Sequence, residues 1–191
     1  MNIGILIYNG VEELDFVGPL EVLSIANLFL NSDSSNDISR ISESLQEVVC
    51  GNGTRVIPDF SYVTSPSLDV LVIPGGPSSR RERYNLSTIK FLHEHYQNAQ
   101  YFLSVCTGSL LLAEAGLLDN RKSTTHKGAI DLLKAYSKIQ VCENVKYIED
   151  GKIISSAGIT AGIDACLSLL DKLYDVDNQI SKKVRDIMEY Y

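Results

Sequence analysis

Cysteine is sparse in this chain and never clustered: Cys50, Cys106, Cys142 and Cys166 lie far apart, with no Cys-x-x-Cys pair and only three histidines in all. Neither a disulfide framework nor a zinc site is suggested, and no other metal or cofactor is expected. Basic residues are in deficit as well, 17 against 24 acidic ones, for a net charge of −7. That balance leaves no electrostatic footprint for nucleic acid or for an anionic membrane. No apolar run approaches the length needed to cross a bilayer, and Met1-Asn2-Ile3-Gly4 opens into a strand-like segment with no basic flank or small-residue cleavage site. The expectation is a cytoplasmic protein that meets neither membrane nor nucleic acid.

What the chain does have is core: 45% of its 191 residues are hydrophobic, enough for one domain over residues 1–191. Residues 3–8 are an uninterrupted apolar run, the kind of strand that a parallel sheet buries on both faces, and Asn9-Gly10 turns the chain after it. Pro19 suits the first turn of a helix over 20–30, and the serine-rich stretch 31–44 reads as a solvated loop. Short strands are expected at 48–50 and 55–57. A buried strand over 69–73 runs into Pro74-Gly75-Gly76-Pro77, a rigid turn whose N–H groups can approach a ligand. A helix over 89–97, a strand over 101–105 and a helix over 110–115 follow. Residues 145–148 and 152–155 flank Glu149-Asp150-Gly151 as a hairpin. Ile159, Ile163, Cys166, Leu167, Leu170 and Tyr174 recur at helical spacing, which puts Cys166 in the core, and Ile180, Val184, Ile187 and Tyr191 mark a final helix. The alternation predicts an α/β fold: a doubly wound, mainly parallel sheet flanked by helices, with its site at the carboxyl ends of strands.

The segment Ser104-Val105-Cys106-Thr107-Gly108-Ser109 sits at one such end, between a short aromatic strand and a leucine-rich helix. Small residues at Ser104 and Gly108 permit the sharp bend of a nucleophile elbow, which marks Cys106 as a nucleophile rather than an inert core cysteine. A helix N-terminus would favour its thiolate. The loop 10–19 and the turn 74–77 should converge on the same rim. In the first, Glu12 and Glu13 read as solvated charges or helix caps. Asp15, between Leu14 and Phe16, is harder to leave in water, and beside a thiolate such a carboxyl could keep its proton and act as an acid. The backbone N–H groups of Gly76 and Thr107 could form an oxyanion hole, and the Thr107 hydroxyl could orient substrate or water or simply cap the helix. His126, after Thr124-Thr125, could reach the thiol as a base or stand in the pocket wall.

The segments 10–23, 72–76, 104–108, 115–118, Thr124-Thr125-His126 and 156–164, in this order, resemble the ThiJ/PfpI superfamily of class I glutamine amidotransferase-like, flavodoxin-like folds nearly end to end. The Leu14-Asp15 to Gly18-Pro19-Leu20-Glu21-Val22 stretch and the Cys106-Thr107-Gly108 elbow are most similar to the isonitrile hydratase subgroup, and to the amino-terminal domain of some AraC-type regulators. The resemblance implies a nucleophilic Cys106, an acidic partner at Asp15, a functional Thr107, an oxyanion contribution from Gly76 and a homodimer. Thr107 stands where the protease-like subgroup carries histidine, which turns the reading away from peptidase. Lys127 follows Thr124-Thr125-His126 where hydratase-like members usually carry an aromatic residue, so the pocket wall differs here.

Three functions follow as expectations. The first is a cofactor-free cysteine enzyme that adds water to a small electrophile, in the manner of an isonitrile hydratase giving N-substituted formamides. The second is a glyoxalase- or deglycase-like activity on reactive carbonyls, set behind the first because members of that type usually place Glu where this chain has Asp15. The third is a non-catalytic redox sensor or ligand-binding module; its AraC-type version would need a helix-turn-helix domain downstream, and one further helix precedes Tyr191.

Overall fold

The computed structural model describes residues 1–30, 35–174, 177 and 179–191. Strand β1 (Asn2–Leu6) leads into α1 (Glu13–Ala26), then β2 (Asp37–Ser42), the short β3 (Val48–Val49), β4 (Arg55–Val56) and β5 (Phe60–Ser61), and the fully buried β6 (Val70–Ile73). A one-turn helix α2 (Ser79–Glu82) precedes α3 (Leu86–Tyr96), β7 (Tyr101–Ser104) and α4 (Ser109–Glu114). The remainder runs β8 (Lys122–Ser123), α5 (Ile130–Lys134), β9 (Gln140–Val141), β10 (Tyr147–Asp150), β11 (Ile153–Ser156), α6 (Ala161–Leu173) and α7 (Ile180–Met188).

Seven strands make the main sheet in the order β10-β11-β7-β6-β1-β2-β5, and only the β10–β11 hairpin is antiparallel. This is the mainly parallel, doubly wound α/β sheet that the sequence predicts. Its central strands are apolar because both faces are covered: Ile3, Ile5, Val70, Val72, Phe102 and Leu103 are wholly buried. Helices α1, α6 and α7 pack on one another, as α2, α3 and α5 do on α4, giving two helical layers. Cys166 lies fully buried in α6, as the helical spacing requires. Among the described residues no helix is long and apolar enough to cross a membrane.

Three local expectations fail. Helix α1 begins at Glu13, so Pro19 lies inside it rather than in its first turn. A proline there forfeits one intrahelical bond, which the burial of Phe16, Val22 and Leu23 on the same helix outweighs. The stretch 31–44 is not simply a solvated loop: residues 37–42 pair in parallel with β1, while 31–34 fall outside the described residues. Arg40 hides this strand from a hydrophobicity reading, because its guanidinium and backbone N–H bond Asp59 at 2.7 to 2.9 Å and satisfy a polar strand near the sheet edge. Ile159 precedes α6 instead of belonging to it.

The bend after β7 is pinned by both neighbouring strands. Val105 N–H donates to Ile73 O at 3.0 Å and Cys106 N–H to Ala157 O at 3.1 Å. Cys106 adopts φ +56°, and Gly108 comes so close to β6 that a Cβ there would stand 2.0 Å from Ile73 O. Gly108→Ala is therefore expected to destabilise the protein by about 4 kcal/mol or more. Gly116→Ala, at φ +68° but in open space, should cost only about 1 kcal/mol. Urea unfolding of the two variants checks this, and equal losses would mean that conformation, not close approach, sets the cost at Gly108.

Candidate functional site

Asp15 occupies the first turn of α1 and is 0% exposed. Its Oδ2 accepts the backbone N–H of Gly75 at 3.0 Å, which ties the helix to the turn after β6. Oδ1 makes no hydrogen bond of good geometry, yet the nearby Cys106 thiol still acts on the carboxyl as a donor. Burial dominates and pushes the Asp15 pKa up to about 7, against the lowering effects of Gly75 N–H and the thiol. Cys106, 6% exposed, is pushed up to about 12, first by burial and second by the charge of Asp15. The expected low-pKa thiolate is thus corrected for the resting state: two adjacent buried acids keep at least one proton between them at neutral pH.

The backbone N–H groups of Thr107 and Ile159, near the Cys106 sulfur, oppose the rise. Ile159 reaches the sulfur by adopting φ +47°, an unfavourable conformation for a β-branched residue. Sequence reading placed Ile159 on a helix and missed it; the Gly158 before it was the available signal of a turn. The Gly76 N–H, expected in an oxyanion hole, is instead committed to Thr107 Oγ1 at 3.0 Å. The Thr107 hydroxyl is correspondingly occupied: the Ser79 hydroxyl bridges it and Gly76 O at 2.7 and 2.8 Å, and its own proton is shared between Gly76 O at 3.2 Å and the sulfur. It organises the turn after β6. The Tyr8 hydroxyl completes that turn, donating to the carbonyls of Pro74 and Gly75 at 3.0 and 2.9 Å.

A cavity of about 230 Å³ opens onto the sulfur, lined by Glu12, Gly76, Pro77, Arg80, Cys106, Thr107, His126 and Ile159. Its size suits a ligand smaller than a typical drug. A larger cleft of about 510 Å³, beside Tyr62 and Phe91, has no cysteine in its lining. His126 stands in the wall and makes no hydrogen bond to the sulfur; its Nδ1 accepts Gly128 N–H at 3.1 Å, so the neutral ring carries its proton on Nε2. The expected base is therefore not aligned with the thiol. Glu13 accepts the N–H groups of Asn52 and Thr54 at 2.9 and 3.3 Å, so it holds the loop between β3 and β4 rather than capping the helix. Among the described residues no group of three or more His, Cys, Asp or Glu is placed to hold a metal ion.

The raised Asp15 pKa has a consequence for stability. In the unfolded chain the carboxyl ionises near its ordinary 3.8, in the fold near 7, so the folded state holds the extra proton between these limits. Stability from this group is complete below about pH 4 and is lost as pH rises to 7, by about 4 kcal/mol if nothing relaxes. Asp15→Asn, whose side-chain oxygen can still accept Gly75 N–H, should gain on the wild type steadily from pH 4 to 7 and no further above. Parallel pH profiles in urea unfolding would show that Asp15 is not the buried acid described here.

The DJ-1/PfpI family matches residues 1–172. An isonitrile hydratase from Pseudomonas putida is 34% identical over 177 residues, 93% of this chain and 74% of that protein. The transcriptional regulator CdhR of Pseudomonas aeruginosa is 32% identical over 86% of this chain, which spans only about half (48%) of the regulator's length. The crystal structure of a ThiJ/PfpI family protein from Pseudomonas syringae superposes with a TM-score of 0.88 at 30% identity, covering 99% of this chain and 74% of that one. With the elbow, the buried acid and the sheet order all in the positions described, the chain belongs to the DJ-1/PfpI family.

Proposed function

We propose that the protein is a cofactor-free cysteine enzyme that hydrates a small isonitrile to an N-substituted formamide. The observation that carries this reading is a fully buried carboxyl, Asp15, held by Gly75 N–H and set with Cys106 beneath a small cavity, and the hydratase relative at 34% identity supports it. Asp15, as carboxylate, takes the thiol proton while the sulfur bonds to the terminal carbon of the isonitrile. Asp15 then returns that proton to the same carbon, leaving a thioimidate. In the second half, Asp15 takes a proton from water as the water adds to this carbon, and passes that proton to the nitrogen. Collapse of the adduct forms the formamide carbonyl, breaks the C–S bond and restores the pair. Dividing the hydration into two steps is the gain of covalent catalysis. Developing charge on sulfur, as it leaves, meets the Thr107 and Ile159 N–H groups.

We infer further that the enzyme works in the cytoplasm as a homodimer, for which the exposed Leu14 and Val17 of α1 supply an apolar face. The redox-sensor reading fits less well, because sensor cysteines are accessible and acidic whereas Cys106 is buried with a raised pKa. A glyoxalase-like reading has less behind it: a deglycase from Pyrococcus horikoshii matches only 42% of this chain, against 93% for the hydratase relative.

Purified protein should turn over a small alkyl isonitrile, and Cys106→Ala should not. Equal rates would remove this substrate. Asp15→Asn should lower turnover by about a hundredfold or more, while removing the negative charge beside the sulfur lets iodoacetamide label Cys106 at lower pH than in the wild type. If labelling and turnover fall together, Asp15 acts only by holding the site in shape.

A further inference from the structure

The cavity over Cys106 carries a charge that hydration of a neutral isonitrile does not use. Arg80 lines it, is exposed, and makes no hydrogen bond or ion pair among the described residues. The neighbouring arginines are differently placed. Arg83 bonds the hydroxyls of Tyr84 and Tyr136 at 2.6 and 3.2 Å and lies over the Tyr84 ring, while Arg81 lines a separate groove with Glu82. Nor is the position of Arg80 incidental. Ser79, one residue before it, is fully buried and bonded to both Gly76 O and Thr107 Oγ1, so α2 is fastened to the residue that follows the nucleophile.

We infer that Arg80 selects electrophiles that carry an anionic group, a carboxylate above all, on the same small skeleton as the reacting carbon. A guanidinium presents paired N–H donors that match a carboxylate in a bidentate fork, and this one has no such partner among the described residues. Glu12, the carboxylate in the lining, is engaged by Asn52 Nδ2 at 3.3 Å and sharpens the selection, since it repels any anion not docked on Arg80. With Pro77 and Ile159 as apolar lining, the cavity fits a short chain that has an anion at one end and the electrophilic carbon at the other. The inference rests on the reading of Cys106 as a nucleophile toward small electrophiles.

Two measurements test it separately from the hydratase reading. Iodoacetate and iodoacetamide deliver nearly the same group to a thiol with loss of iodide, one charged and one neutral. Their rates at Cys106, followed by mass spectrometry at that residue, form a ratio from which thiol acidity cancels. Arg80→Gln should lower the iodoacetate-to-iodoacetamide ratio about fivefold, Arg80→Glu should lower it further, Arg80→Lys should preserve most of it, and 0.5 M salt should shrink the wild-type advantage. In turnover, Arg80→Gln should raise KM for isocyanoacetate by a similar factor and leave KM for its methyl ester in place. An unchanged ratio in both Arg80→Gln and Arg80→Glu overturns the inference, as does failure of both reagents to label Cys106. A shifted ratio without turnover of either isonitrile keeps Arg80 as the anion selector and rejects the hydratase reading; turnover with an unchanged ratio does the reverse.

Discussion

Two acidic groups without room for two negative charges are the constraint around which this site is arranged. Asp15 is closed off from water and Cys106 nearly so; the charge of Asp15 raises the cost of ionising Cys106, while the thiol eases that of Asp15. A buried carboxylate needs donors, and it receives one N–H, from Gly75, with Oδ1 left outside good hydrogen-bond geometry. That deficit is what makes the carboxyl basic enough to accept a proton near neutrality. A second strong donor on Oδ1 would quiet it, and exposure to water would do the same.

The surrounding structure serves to keep that deficit fixed. Gly75 can donate to Asp15 only because the turn after β6 is clamped by the Tyr8 hydroxyl on its carbonyls, by Ser79 and by Thr107. The sulfur can be positioned only because β6 and the chain after β11 each bind the elbow backbone. A parallel sheet brings these strand ends to one rim, and the hydrogen bonds between neighbouring ends turn that proximity into position. The strained conformations at Cys106 and Ile159 cost roughly 1–3 kcal/mol each, offset by a core in which the central strands are buried on both faces.

Much of this is legible in the sequence, for identifiable reasons. The elbow shows because Ser104 and Gly108 are small where a bend is needed, and Asp15 shows because an acid between Leu14 and Phe16 conflicts with its neighbours. The hairpin and the buried strands show through apolar runs and Glu149-Asp150-Gly151. Strand β2 does not, because its polar side chains are satisfied by Asp59, nineteen residues from Arg40 and invisible to a local pattern. Ile159 is hidden for the opposite reason: its side chain fits a helical repeat, while its contribution to the site comes from its backbone N–H. The commitment of the Gly76 N–H to Thr107 is equally unreadable, since both partners look available until the turn is folded.

The division of labour between backbone and side chain bears on how the family varies. Charge on the sulfur is met mainly by peptide N–H groups, whose positions follow from strand ends and turns rather than from residue identity. In the proposed reaction, proton movement falls to two side chains, Asp15 and Cys106. The remaining wall, formed by Glu12, Pro77, Arg80 and His126, makes no hydrogen bond to either of them among the described residues. Apart from Glu12, whose charge raises the Asp15 pKa, these wall residues can therefore be exchanged without disturbing the Asp15–Cys106 pair. One scaffold can then carry different ligands over the same elbow, and this chain is similar both to an isonitrile hydratase and to a transcriptional regulator. On this argument the chemistry belongs to the fold and its buried pair, and the identity of the ligand belongs to a handful of side chains at the cavity mouth.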